Sequence, residues 1–104
     1  MGLFNLFRKK NMSKEIQEYL AKEAVILDVR TLGEWNEGHS EGAKHIVLTT
    51  IPTSADEIKA WGKPVIAVCR SGARSGQATD FLLAQGIDII NGGPWENVDQ
   101  YLTK

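Results

Sequence analysis

Cys69 is the only cysteine in the chain, and Arg70-Ser71-Gly72-Ala73-Arg74-Ser75 follows it directly. A thiol is a poor nucleophile and a thiolate a strong one, so a reactive cysteine needs neighbours that favour the anion. These neighbours do. Arg70 and Arg74 bring whole positive charges, Gly72 lets the backbone curl, and a tight turn can point several N–H groups at one atom. A helix opening just after the loop adds the positive end of its dipole. A free thiol ionises near about pH 8.5, and surroundings of this kind move that well downward. A lone cysteine behind an apolar strand is otherwise a small core residue. Two arginines and a glycine within five residues are not what a core cysteine calls for, so Cys69 reads as a nucleophile.

The flanking elements place it. Pro64-Val65-Ile66-Ala67-Val68 is an apolar, β-branched run that predicts a buried strand ending at Cys69. Ala78, Phe81, Leu82 and Leu83 share one face of the following helix, with Gly86 as its stop. A residue at the carboxyl end of a strand is where open α/β sheets build their sites.

The rest of the chain alternates in the same way. Ser13 is expected to cap a helix from Lys14 to about Lys22, followed by a strand over Ala24-Val25-Ile26-Leu27. Thr31 is expected to cap a short helical turn holding Glu34 and Trp35, stopped by Gly38. A short strand around His45-Ile46-Val47 comes next. Ser54-Ala55-Asp56-Glu57 has the pattern of a capping box opening a helix through Trp61, with Gly62 closing it. Ile87-Asp88-Ile89-Ile90 predicts another strand, and Asn91-Gly92-Gly93-Pro94 a turn, with Pro94 starting a last helix that carries Trp95, Val98 and Leu102. Short apolar strands between helices predict a mostly parallel sheet covered on both faces, an α/β architecture.

Bulk properties narrow the function. A chain of 104 residues, 42% apolar and 24% charged, is one domain with room for a core. One cysteine excludes an internal disulfide, and one Cys with two separated histidines, His39 and His45, makes no convincing zinc site, so neither metal nor cofactor is expected. Arg8, Lys9 and Lys10 give the first ten residues a charge of +3, leaving −4 on the other 94. A body of that sign is unsuited to nucleic acid, which needs a basic face. The loop arginines therefore stand as local positive charge on an acidic body, an arrangement suited to capturing a small anion. Residues 1–12 are read as a loosely ordered N-terminal segment. Leu3, Phe4 and Phe7 ahead of the basic cluster leave a weak surface anchor as the alternative. No apolar run is long enough to span a bilayer, so no integral membrane association, a cytoplasmic location and a monomer are the expectations.

Asp28-Val29-Arg30, Glu34-Trp35, Gly38-His39 with Gly42-Ala43 and Ile46, the Cys69–Ser75 loop, and Gly92-Gly93 before Trp95 occur here in one order. In that order they resemble the single-domain rhodaneses, the thiosulfate sulfurtransferase-like family, over roughly residues 13–104. The sequence departs from the family pattern at Ser40, where an aliphatic residue often stands, and at His45-Ile46-Val47, which lacks a common proline. The resemblance implies a five-stranded, mostly parallel sheet between helices. It also implies an activity: Cys69 takes a sulfane sulfur from a small anionic donor such as thiosulfate, becomes a persulfide, and passes the sulfur to cyanide, a thiol or a protein acceptor. Residues 70–75 (Arg70, Ser71, Gly72, Ala73, Arg74, Ser75) would then bind substrate. Arg70 is expected at the entrance, while Arg74 either touches substrate or braces the loop against a carboxylate. Asp28, Arg30, Glu34 and His39 read as a structural polar network near the strand ends.

Two other enzymes are weighed. A cysteine phosphatase places its arginine six positions after the cysteine; here that position is Ser75 and the arginine comes one residue early. A cysteine hydrolase needs an activating histidine, and none adjoins Cys69. The alternatives that stay open are a persulfide carrier and a non-enzymatic binding module acting with a protein partner.

Overall fold

A computed structural model describes residues 2–102, with side chains from residue 12 onward. Helix α1 spans Gly2–Ala21, β1 Val25–Asp28, α2 Leu32–Glu37 and β2 Lys44–His45. A 3-10 turn at Leu48–Thr50 leads into α3, Ile51–Ala60; β3 is Val65–Cys69, α4 Ala73–Ala84, β4 Ile89–Pro94 and α5 Trp95–Asp99. The strands form one parallel sheet in the order β2-β1-β3-β4. Chain order runs outward to one side from β1 and to the other from β3. The topological switch point therefore lies between these two strands, where α/β sheets leave a crevice at the carboxyl ends. Asp28 ends β1 and Cys69 ends β3.

Strand alternation divides the core into two layers. Leu27, Val65, Ala67 and Cys69 face α3 and α4, packing with Ile51, Ile58, Ala78 and Leu82. Ile26, Ile66 and Val68 face the other way, onto Ile16 of α1 and Val98 of α5. All five residues of β3 are buried. A strand covered on both faces has no use for polar alternation, which is why its sequence reads as an unbroken apolar run.

The α/β class and parallel sheet match expectation, but the sheet has four strands among the described residues, not five. Only four segments of the sequence are apolar enough to be strands, so the fifth came from the resemblance alone. Element boundaries also differ, with β2 at Lys44–His45 where a strand was expected around His45-Ile46-Val47, and β4 starting at Ile89 where Ile87 was expected. α1 begins at Gly2, so Ser13 lies within the helix and does not cap it. No glycine or proline between residues 3 and 12 interrupts it. The side chains of residues 1–11 lie outside the described residues, and with them the expectations of a loosely ordered segment and a surface anchor. α3 begins at Ile51, three residues before the expected cap; Pro52 fits a first helical turn, and Ser54 Oγ donates to the Thr50 carbonyl at 2.8 Å.

The largest difference is at residues 91–94, expected as a turn and found as the second half of β4. Its pairing with β3 runs Ala67 to Asn91 and then Val68 to Gly93, so Gly92 is an extra residue in a β-bulge. A Cβ at Gly92 would lie 2.7 Å from Ile66 Cγ2 and 2.8 Å from Val98 Cγ2, leaving no room for a side chain. Asn-Gly-Gly-Pro carries strong turn signals, but here the glycines bend a strand and press it onto the core. Among the described residues no helix is long and apolar enough to cross a membrane.

Candidate active site

β3 brings Cys69 to the carboxyl edge of the sheet, beside the end of β1, and the loop at residues 70–72 follows it directly. Gly72 takes φ +104°, a left-handed conformation that residues with a Cβ avoid, and its Cα side packs against the backbone of Gly93. This reversal aims donors at the sulfur. Gly72 N–H donates to Sγ at 3.0 Å, Ser75 N–H at 3.4 Å, and Ser75 Oγ lies at 3.3 Å. α4 opens at Ala73, so its unpaired amides and dipole point the same way. Burial, the largest single influence, pushes the thiol up. The N–H groups of Ser75, Gly72 and Ser71, with the Ser75 hydroxyl when it turns to the sulfur, together outweigh it, and the net shift is downward. The surroundings of Cys69 thus favour the thiolate more than those of an ordinary cysteine do.

It is also covered. Cys69 has 0% exposure, whereas Arg70, Ser71 and Ala73 above it are exposed.

The two loop arginines have separate fates. Arg74 donates through both Nη atoms to Glu34, at 2.7 and 2.9 Å, a bidentate pair that ties the first turn of α4 to α2. Arg70 is 75% exposed at the mouth, with Nη1 3.7 Å from the second Glu34 oxygen. Glu34 itself is held by Arg74 and by the Thr31 N–H, which together set its carboxyl far below the usual carboxylate range. With Thr31 it completes a reciprocal capping box at the start of α2, so the expected cap is present.

Of the four residues expected in a polar network, Asp28 and Arg30 pair through their side chains. Arg30 Nε lies 2.9 Å from Asp28 Oδ1 and Nη2 2.8 Å from Oδ2, with both residues buried. The same guanidinium donates to the carbonyls of Gly38 at 2.7 Å and Glu34 at 3.3 Å, and lies 5.1 Å above the Trp95 ring. His39 joins through its ring, not through an ion pair. It stacks on Trp35 at 3.5 Å and bonds the Trp35 carbonyl, and His45 stacks on the same indole at 4.7 Å. Trp61 and Trp95 pack against the two core layers, as expected of packing residues.

One residue of the site was missed. Asn91, in the bulged part of β4, accepts from Ser75 Oγ at 2.7 Å and from Gly93 N–H at 2.9 Å, and donates to the Gly72 carbonyl at 3.0 Å. Its only sequence signal, Asn before Gly-Gly, also marks turns.

A parallel sheet whose switch point ends in a cysteine, wrapped by backbone amides and one hydroxyl, defines an α/β domain with a cysteine-loop site. Sequence comparison sets it more closely. The chain belongs to the rhodanese-like domain family, a sulfurtransferase-type family, which it matches over residues 12–94. The uncharacterized protein YqhL of Bacillus subtilis (strain 168) is 35% identical over 69 residues, which are 66% of this chain and 54% of YqhL. The chain thus spans about half the length of that relative. Among solved structures, a rhodanese-like domain protein from Staphylococcus aureus is 31% identical with a TM-score of 0.65, over 88% of this chain and 92% of its own. The human single-domain sulfurtransferase TSTD1 shares the fold at 23% identity and a TM-score of 0.65, over 86% of this chain and 94% of its own.

Proposed function

We propose that this domain is a sulfurtransferase in which Cys69 carries the sulfur. The Cys69 thiolate attacks the outer sulfur of a donor such as thiosulfate. A new S–S bond forms, the donor's S–S bond breaks, and sulfite leaves with the electron pair. The terminal sulfur of the resulting persulfide is then attacked by cyanide or by a thiolate of a small molecule or protein. That bond forms as the persulfide bond breaks, and the Cys69 thiolate returns. Neither half-reaction calls for a cofactor or for a base on the protein, provided the cysteine starts ionised.

The observation that carries this reading is the pair of backbone donors converging on Sγ, Gly72 N–H and Ser75 N–H, with the Ser75 hydroxyl within reach at 3.3 Å. Donors fixed in that geometry favour an anion on sulfur, before and after it gains a second sulfur atom. Arg70 supplies the exposed charge that draws the anionic donor to the mouth, and Arg74, engaged by Glu34, keeps the loop in shape.

Intact mass spectrometry after treatment with thiosulfate tests it. The protein gains about 32 Da as a persulfide, loses the gain to cyanide or a reductant, and never gains it as Cys69→Ser. An unmodified wild type across several sulfane donors would overturn the reading in favour of a binding module. Modification without sustained thiosulfate-to-cyanide turnover would favour a persulfide carrier.

A further inference from the structure

We infer that Asn91 is a positioning residue that holds the Ser75 hydroxyl hydrogen away from Cys69, so that ionisation of the sulfur is tied to rotation of that hydroxyl. The orientation of the Asn91 amide follows from its partners. Gly93 N–H can only donate and the Gly72 carbonyl can only accept, so Oδ1 faces the first at 2.9 Å and Nδ2 the second at 3.0 Å. Oδ1 has no hydrogen. Its 2.7 Å contact with Ser75 Oγ is therefore a bond in which the hydroxyl donates.

Ser75 has one hydroxyl hydrogen and two acceptors in range, Oδ1 at 2.7 Å and Sγ at 3.3 Å. With a neutral thiol there is no conflict: S–H donates to Ser75 Oγ, and Oγ–H donates to Asn91. Once the proton leaves, the thiolate has nothing to donate and faces a lone pair of the serine oxygen. Turning the hydroxyl toward the sulfur removes that repulsion and leaves Oδ1 with Gly93 N–H alone. Asn91 thus favours the protonated form of Cys69 through Ser75, while its nitrogen steadies the Gly72 peptide.

Two features built into the fold support the assignment. The β4 bulge at Gly92 is what sets Asn91 beside the loop. On the other side Gly76 leaves room for the amide, since a Cβ there would stand 3.2 Å from Nδ2. The ionisable groups around the site are a constant background to this effect. They are Asp28 and Arg30 at the end of β1, Glu34 on α2, Arg70 in the loop, Arg74 on α4 and Glu96 on α5. Asp56, Glu57 and Lys59 on α3 and Asp80 on α4 are exposed, β4 carries no ionisable side chain, and α1 packs on the opposite face of the sheet.

The role in turnover rests on the sulfurtransferase reading, but the test does not, because it titrates Cys69 with iodoacetamide in the absence of any sulfur donor. The pH dependence of alkylation is measured for the wild-type protein, Asn91→Ala, Ser75→Ala and the double variant. Releasing the hydroxyl is expected to lower the midpoint in Asn91→Ala, raising alkylation below that midpoint about three- to tenfold, the scale of one hydrogen bond. The same substitution in the Ser75→Ala background is expected to leave the midpoint where Ser75→Ala alone puts it. An equal shift in both backgrounds, an upward shift, or no shift would overturn the inference. If Asn91→Ala does not fold, Gly76→Ala displaces the amide without removing it. It should give a smaller downward shift that again requires Ser75, and a shift independent of Ser75 would overturn the inference equally.

Discussion

Two arginine–carboxylate pairs lie close together at the carboxyl end of the sheet, and they do different work. Arg30–Asp28 is sealed, with side chains 5% and 1% exposed, and its remaining donors meet the backbone of the α2 region. Arg74–Glu34 is equally well formed but lies at the rim, at 31% and 19% exposure, and joins elements 40 residues apart. Removing one partner of a sealed pair strands a charge in low dielectric, whereas water takes over much of the role of a rim pair. The inner pair is therefore expected to weigh more in stability than the outer one. The outer pair ties the first turn of α4 to α2 beside the cysteine loop.

Asp28→Ala should show the largest effect. It leaves Arg30 buried without its counter-charge, and a loss of about 3–5 kcal/mol in urea unfolding is expected. Against the roughly 5–15 kcal/mol that holds a typical domain together, this is a large fraction. A loss below that of the rim pair would erase the distinction.

Glu34→Gln keeps an acceptor for the Thr31 cap and removes the charge facing Arg74. The expected loss is about 1–2 kcal/mol, a fall of several degrees in Tm for a domain of this size. Cys69 should also react faster with a bulky maleimide, because the loop then opens at lower cost. Unchanged reactivity would show that Glu34 stabilises α2 without governing the loop.

Acid sharpens the same contrast. The folded carboxyl of Glu34 ionises at lower pH than an unfolded glutamate, so its contribution is present in full above about pH 4–5. It is lost as pH falls further, toward the folded value. The stability gap between wild type and Glu34→Gln should accordingly narrow as the pH drops below that range in a series of thermal melts. A gap that widens in acid would contradict the ion pair.

Arg70→Ala should be the mildest for stability, within about 0.5 kcal/mol, because its side chain is largely in water. Its effect is kinetic. Reaction of Cys69 with an anionic donor should slow at low salt, while the rate with neutral iodoacetamide stays near wild type. The difference should fade as salt screens the mouth.

These pairs also mark how far the sequence could be read. The cysteine loop was legible because strand, glycine turn and helix adjoin one another, and each announces itself within a few residues. Asp28 and Arg30 were legible as members of a polar network, since they lie two positions apart at the end of one strand, but their partners were not assigned. Glu34 and Arg74 were each singled out, but their pairing crosses 40 residues and left the role of Arg74 open until the fold brought them together. Asn91 was hidden for a different cause. Its partners Ser75 and Gly72 lie 16 and 19 positions away, and the bulge that turns it toward them has the composition of a reverse turn. The extra strand was an error of another kind, a count carried over from relatives to a chain with four suitable segments.

Gly92 has a consequence for how this protein could change over evolutionary time. The same backbone atoms that leave no space beside Ile66 and Val98 also hold the neighbouring asparagine in place. A side chain acquired there would disturb the interior and the chemistry in a single step. Variation that retunes the thiol while sparing the scaffold must therefore arise elsewhere, and the exposed rim around Arg70 is where such drift costs least.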